Sequence, residues 1–525
     1  MAKIAFILLC HKDPQAIIAQ AERLTAAGDY MAIHFDGRAN PSDFAAIRAA
    51  LGDNPNVVFA KKRIKCGWGE WSLVQATLNA VEAAEAAFPR ATHFYMLSGD
   101  CMAIKSAEYA HAFLDGRDVD YIESFDFFDS DWIKTGMKED RLIYRHFFNE
   151  RTQKRVFYTA LNFQRRLRLT RPIPADLQMM IGSQWWCLRR HTIEAVLAFV
   201  RDRRDVLRFF RTTWIPDETF FQTIVRHLVP GVEIDSRTLT FLIFTDYGMP
   251  VTFYNDHYDL LLAQDFLFAR KISPDAKALR ERLGQLYAAT DIRFDVSNEG
   301  RNLFHFLVGR GREGRRFAPR MWEAQATLGR ERELLILACK KWHVAKRLTD
   351  AISANTNIDA LKYVFDEDGA ALPDLGGIER SLDKRGRHRR AMMRMVYQAN
   401  DTDRLLICVD PSRMDLLRDF VSDLAKTKVL EIDCEMTPQY LEGHARRIGL
   451  AGDQTSAETM AGLLQTIRAD LDHETHVLRD AGLPGYAQIS QTRSPQENAL
   501  PLAAFLDINE ETGRAIAATP HLFDD

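Results

Sequence analysis

Cysteine is scarce and scattered. Cys10, Cys66, Cys101, Cys187, Cys339, Cys408 and Cys434 form no CxxC pair and no Cys/His cluster with zinc spacing. That argues against a disulfide framework or a structural zinc site and fits a reducing compartment. No apolar run approaches the ~20 residues of a membrane span. The run Ile4–Cys10 is short and ends in His-Lys-Asp-Pro without the cleavage region of a signal peptide. These absences predict a cytoplasmic protein without a transmembrane segment, and leave peripheral membrane association open. Neither GxGxxG nor GxxxxGK followed by Ser or Thr occurs, so the two common glycine-rich phosphate loops are missing. Charge of either sign is not in excess: the net value is -3, which gives no global basic field and no reason to expect nucleic acid as a partner.

What is present is an ordinary globular composition, 46% hydrophobic and 27% charged, over 525 residues, a length that implies two or three domains. Lys3–Cys10 is a continuous apolar run of strand length, the pattern of a buried parallel strand. Pro14 then opens an alanine-rich helical stretch to about Ala27. Tyr30–Asp36 reads as a second strand and Asn56–Phe59 as a third. The order β-α-β-α-β at these intervals predicts a doubly wound α/β domain. Such sheets bind ligands at the carboxyl ends of their strands. His11, Asp36 and Arg38 lie at those ends, as nucleotide contacts or simply as caps and turn formers.

Further along, Gly67-Trp-Gly leads into a helix, and His93–Leu97 reads as a strand delivering Ser98, Gly99 and Asp100. One carboxylate there is a poor divalent-cation site, because hard cations want several oxygens. Asp118–Phe125 reads as a strand followed by Asp129-Ser-Asp131, formally a DxD but a tripeptide common by chance. Arg141–Arg171 is basic and aromatic, either an acceptor-facing region or a solvated surface. Gly182-Ser-Gln-Trp-Trp-Cys-Leu188 is read as a strand whose alternation sends Trp185 and Trp186 to opposite faces. One ring would then stack on a sugar; the alternative puts both in the core.

Ile193–Val206 follows as a helix. The stretch from Trp214 to Thr223 comes next and is the centre of the reading. Pro216 suits the first position of a helix, and Asp217 and Glu218 fall in its first turn, beside the positive end of the dipole. Glu218 is placed to act as a general base, or the two acids only complement that dipole. Leu239–Phe244 reads as a strand and the segment ending in Phe266-Leu-Phe-Ala-Arg-Lys271 as an amphipathic helix, with Arg270 and Lys271 at its carboxyl end.

Five of these pieces, in order, resemble the core-2/I-branching β-1,6-N-acetylglucosaminyltransferase and peptide O-xylosyltransferase family (glycosyltransferase family fourteen). They are Ile33-His-Phe-Asp36, Gly67-Trp-Gly-Glu-Trp-Ser-Leu-Val-Gln-Ala76, Leu97-Ser-Gly99 with Lys105-Ser106, Gly182-Ser-Gln-Trp-Trp186 and Pro216-Asp-Glu-Thr-Phe-Phe-Gln222. Phe268-Ala-Arg-Lys271 is similar to the family's closing element, and the resemblance covers roughly residues 1–275. It implies a GT-A-like nucleotide-sugar transferase domain with a doubly wound mixed sheet, a UDP-sugar donor, inversion at the anomeric carbon, and no metal or other cofactor. On that resemblance Glu218 is the base, Lys271 neutralises the departing diphosphate and Asp36 lies near the uridine end of the donor; His11, from its strand end, and Arg270 are further candidate donor contacts. Arg237 is the candidate for a second cation on the diphosphate. Ser183, Gln184, Trp185, Trp186 and Asp217 are sugar or acceptor contacts. The acceptor would be a hydroxyl of a glycan or glycoconjugate.

The chemistry agrees with the resemblance. Transfer to a hydroxyl needs a base for its proton and positive charge on the departing diphosphate. A single displacement needs no second carboxylate as nucleophile. One departure stands out: Leu97-Ser-Gly-Asp-Cys-Met-Ala-Ile104 replaces the family's LSGxDxPL. It opens the alternative of a catalytically altered scaffold that binds a nucleotide or glycan. A metal-dependent transferase using Asp129 and Asp131 is a third reading.

Residues 276–330 read as a helical and basic connector containing Gly309-Arg-Gly-Arg-Glu-Gly-Arg-Arg316. Residues 331–525 read as a second, smaller α/β domain with strands at Glu333–Cys339, Leu361–Phe365, Arg404–Asp410 and Val429–Cys434. Its turn Cys339-Lys-Lys-Trp342 sits where a phosphate loop would, without the glycines. The basic segment Lys384–Arg394 would meet phosphate, an acidic polysaccharide or nothing. The last residues, from about 487, read as loosely structured.

Overall fold

The computed structural model describes residues 1–133, 136–244, 250–298, 300 and 327–525. It divides into two compact units, Met1–Gly309 and Arg310–Asp525. The basic glycine run 309–316 lies outside the described residues.

In the first unit the apolar runs become β1 (Ile4–Cys10), β2 (Tyr30–Phe35), β3 (Val57–Phe59) and β4 (His93–Ser98). β5 (Met102–Ala103), β6 (Asp120–Tyr121), β7 (Phe125–Asp126) and β8 (Met180–Ile181) follow, then β9 (Cys187–Arg189), β10 (Ile234–Asp235), β11 (Thr240–Phe241) and β12 (Phe268–Ala269). Seven of them form a mixed sheet in the order β10-β6-β9-β4-β1-β2-β3. β1 runs parallel to β2 and β4, while β9 is antiparallel to β4 and β6. The expected α/β sheet is therefore present, with β1 an interior strand between β4 and β2 and its Phe6, Ile7 and Leu8 fully covered.

Four elements differ from the sequence reading. Asp118–Phe125 is broken into β6 and β7 with residues 122–124 outside either strand, and Asp120, within β6, takes the Arg189 guanidinium, the Arg189 N–H and the Thr192 hydroxyl. Gly182–Leu188 is not one strand either: β8 ends before it at Ile181, and only its last two residues, Cys187 and Leu188, pair, in β9. The helix predicted over Ile193–Val206 is two, Arg190–Asp202 and Arg204–Phe210. Arg270 and Lys271 do not end a helix. The helix stops at Leu262, and β12 lies between β11 and β5 in a small sheet. A helix dipole therefore has no part in placing these two cations.

The first unit also extends past residue 275. The helix Lys277–Leu286 buries Leu279, Leu283 and Leu286 with Phe241, Val251 and Ile272. Tyr287 then packs on Phe6 and donates from its hydroxyl to Asp29, a buried carboxylate that also takes the Ile4 N–H and the His111 ring.

The second unit is a five-stranded, all-parallel sheet. β13 (Glu333–Ala338), β14 (Asp359–Leu361), β15 (Arg404–Val409), β16 (Lys426–Asp433) and β17 (Tyr486–Ser490) take the order β14-β15-β13-β16-β17. The chain beyond 487 is well structured, contrary to the sequence reading. Ser494 and Glu497 make a capping box for the helix Pro495–Leu506, and the helix Glu510–Ala517 closes over Leu502 and Phe505.

The cations of this unit are committed inward. Lys340 pairs with Asp410 and Glu474, and the buried Lys341 with Asp525. Arg385 donates to the carbonyls of Val364, Glu367 and Asp368, while Arg389 and Arg390 grip Asp419. The Cys339–Trp342 turn and the Lys384–Arg394 segment are thus structural ion-pair networks here.

Candidate active site

Five segments of the first unit meet around Glu218. The turn Gly67–Trp71 carries a left-handed Gly69 (φ +70°), and its carbonyl takes the N–H of Ile215 at 3.0 Å. A Cβ on Gly69 would lie 3.3 Å from the Ile215 side chain, so glycine lets the two loops close on each other. Pro216–Glu218 is then a short 3₁₀ turn, and the α-helix begins only at Phe220. Phe220, Phe221 and Ile224 are buried, which anchors the turn to the core as the apolar spacing predicts.

Glu218 stays about one-third exposed, and its carboxylate pairs with Arg141 at 3.0 Å. Arg141 is itself buried; it lies over the Trp214 ring and donates to the Met137 carbonyl. This partner was visible in the sequence only as one arginine among eight in a basic stretch. The backbone of the GSQWW segment closes the other side. Gly182 donates its N–H to the Glu218 carbonyl (3.0 Å), and Ser183 donates its own to the Glu123 carboxylate (3.2 Å). A Cβ at Gly182 would fall 2.0 Å from the Glu123 carbonyl oxygen, so no side chain fits there. Gln222 ties the set by donating to the Ser183 carbonyl at 2.7 Å.

Three carboxyl groups thus share one corner. Burial pushes Glu123 up, against the pull of the Ser183 hydrogen bonds, and the Glu218 charge adds to the rise. Asp217 is half-buried with its Oδ1 covered, and its carboxyl is pushed up to about 7, by burial first and by Glu218 second. Its Oδ1, the Ser183 hydroxyl, the Gln222 Oε1 and the Trp214 Nε1 are all buried without a partner.

A pH dependence follows from Asp217. Its folded pKa lies above the ordinary 3.8, so its contribution to stability is complete below 3.8 and is lost as pH rises through about 7. The loss is on the order of 4 kcal/mol. Urea unfolding between pH 4 and 8 is expected to show this decline in the parent chain and a flatter profile in Asp217→Asn. Equal slopes in the two proteins would show that Asp217 titrates normally.

The second feature is a group of cations at the carboxyl ends of β1, β4 and β12. Lys12 pairs with Asp100 at 3.5 Å, and the Asp100 carbonyl takes the N–H of Ile272. This joins the turn after β4 to Arg270 and Lys271. Lys271 is held below the usual lysine range by burial and by the positive charge of Arg270, Lys12 and Arg151, with Asp100 opposing. Arg270 is likewise lowered by burial, and its guanidinium stacks 4.0 Å over the Trp185 ring. Lys12, Arg270 and Lys271 gather about the one carboxylate of Asp100, an arrangement suited to a multiply charged anion, and the charge of Arg151 reaches Lys271. Lys12 was missed as a member, although it directly follows His11 at a strand end.

The remaining predicted residues are distributed as follows. His11 is exposed at the end of β1, and its ring makes no hydrogen bond among the described residues. Asp36 uses one oxygen to take the N–H groups of Arg38 (2.7 Å) and Cys66 (3.2 Å), a turn-holding role. Arg237 is not brought to the cation group; it pairs with Asp265 at 2.9 Å. Ser98 contacts Cys101, whose thiol is buried. Gln184 is half-buried, but both tryptophans are covered, Trp186 packing on Phe221 in the core. Neither ring is open for a sugar, because the segment between β8 and β9 is not a strand and does not alternate. The ring open to solvent is Trp68, 40% exposed beside Arg151. Asp129 and Asp131 are exposed, on and just beyond a turn held by Asp126. Among the described residues no three His, Cys, Asp or Glu side chains group as metal ligands.

Residues 4–253 match the Core-2/I-Branching enzyme family. The N-terminal region belongs to that family. Among curated relatives, the beta-1,3-galactosyl-O-glycosyl-glycoprotein beta-1,6-N-acetylglucosaminyltransferase 3 of Homo sapiens is 25% identical over 232 residues, 43% of this chain and 48% of that protein. Its Bos taurus counterpart is 23% identical over 226 residues, 42% of this chain and 47% of that protein. The chain spans about half the length of the curated relatives it matches. Residues 270–525 match a second family, described only as of unknown function (DUF5928). The core-2/I-branching match takes in Glu218, the GSQWW segment and the Gly67–Trp71 turn; Arg270 and Lys271 fall beyond its end.

Proposed function

We propose that this chain is an inverting glycosyltransferase that moves a sugar, N-acetylglucosamine or xylose, from a UDP-sugar to a hydroxyl of a glycan or glycoconjugate, without a metal. The observation that carries the reading is Glu218, a carboxylate open to solvent and paired with a buried arginine, in the same unit as three cations grouped around Asp100. The acceptor oxygen attacks the anomeric carbon while Glu218 takes its proton. The bond to the diphosphate oxygen breaks on the opposite side, and the electron pair leaves with UDP. Arg270 and Lys271 meet the charge that develops there, the work a divalent cation does elsewhere. Trp68 is the ring placed to stack on the acceptor. The accessible Glu218 favours an enzyme over a scaffold. All seven cysteines are free, which supports a cytoplasmic setting.

Thermal unfolding with UDP in excess EDTA tests the donor site. UDP at about 100 times its dissociation constant adds about 2.7 kcal/mol to the unit that binds it, so the midpoint is expected to rise. A rise seen only with Mn²⁺ would move the site to a metal-dependent one.

A further inference from the structure

We propose that the helix Lys154–Leu167 and its flanks form a docking face for an anionic lipid bilayer. The inference does not rest on the transferase reading. The helix has two apolar sides. Phe157 and Leu161 are buried, Phe157 against the His146 and Trp214 rings. Val156, Phe163 and Leu167, at i, i+7 and i+11, fall on a different stripe that faces solvent, exposed by 47%, 59% and 52%. Phe147 (66%) and Leu169 (45%), before and after the helix in the chain, are exposed as well. A soluble surface rarely gathers so many large apolar side chains within about two dozen residues unless it meets something.

Charge decides what it meets. Residues 145–168 hold Arg145, Arg151, Lys154, Arg155, Arg165, Arg166 and Arg168 against the single acid Glu150, in a chain whose net charge is -3. Among the described residues Arg145, Lys154, Arg155, Arg166 and Arg168 enter no ion pair. Arg155 and Arg166 lie beside the exposed stripe on the side away from Phe157, by the 100° step of the helix. An apolar stripe bordered by free arginines matches the acyl boundary and the phosphates of an anionic leaflet. A second copy of the same face would set these cations against each other, which disfavours self-association through it.

Flotation of the full chain on vesicles gives the test. The chain is expected to float with phosphatidylcholine vesicles containing about one-third phosphatidylglycerol, to stay behind with phosphatidylcholine alone, and to be released by salt. Phe163→Ser/Leu167→Ser and Arg155→Gln/Arg166→Gln should each cut the bound fraction about tenfold, with unchanged thermal midpoints because all four side chains are exposed. Glu218→Gln should float like the parent, which keeps this result separate from catalysis. Failure to float on the anionic vesicles would overturn the proposal, as would equal flotation of the paired variants. So would a dimer in solution that the Phe163/Leu167 variant converts to monomer.

Discussion

A Glu218→Gln chain is expected to turn over UDP-sugar about a thousandfold more slowly than the parent while binding UDP equally well. The amide keeps the shape of the side chain and a hydrogen-bonding oxygen toward Arg141, but it cannot accept the acceptor's proton. A positioned base contributes roughly 10²–10⁴ to such a step. Binding should survive because the cations assigned to the diphosphate, Lys12, Arg270 and Lys271, belong to other strand ends. Initial rates of UDP release in the presence of acceptor, set beside a UDP titration by calorimetry, separate the two effects. A variant that keeps a tenth or more of parental turnover would move the base to a neighbour, Glu123 being a candidate in the same corner.

Lys271→Met is expected to act on both quantities. The ammonium is partly withdrawn from water and crowded by like charge, a cost that an incoming diphosphate relieves. Removing one such donor to a developing charge typically lowers turnover by about 10²–10³. UDP affinity should fall along with the rate, unlike in Glu218→Gln. Steady-state rates and UDP titrations in EDTA read both. An Arg237→Met variant is the internal control, since that guanidinium is already held by Asp265 and should leave turnover largely intact. The reverse result, with Arg237 essential and Lys271 dispensable, would place the diphosphate elsewhere.

Much of this site was legible because short apolar runs and glycine-bearing turns are local signals. Ile4–Cys10 reads as a buried parallel strand from its composition, and the chemistry at its end follows from that topology. Glu218 could be placed from Pro216 before it and the Phe220–Val225 face after it. What could not be read is whatever depends on distant charge. Asp120 is buried within β6 against Arg189, 69 residues away, and Arg141 reaches Glu218 across 77. The two adjacent tryptophans misled for a related reason. Alternation holds only where the ladder holds, and the ladder fails between β8 and β9, so Trp185 is covered by Arg270 rather than left open. At the end of the chain the Ser494/Glu497 capping box is a local signal that the reading did not use.

The helix Lys277–Leu286 and Tyr287 bear on how the two halves of this gene can be separated. The core-2/I-branching match stops at residue 253 and the second family's match starts at 270, which invites a cut between them. Folding draws the line elsewhere. Such a cut would strip Leu279 and Leu283 from the core that also holds Phe241 and Val251, and would take away the phenol that satisfies Asp29 beneath β1. It would also send Arg270 and Lys271 away with the other half. Any recombination that exchanged the N-terminal half as a working module had to carry residues through at least Tyr287 with it.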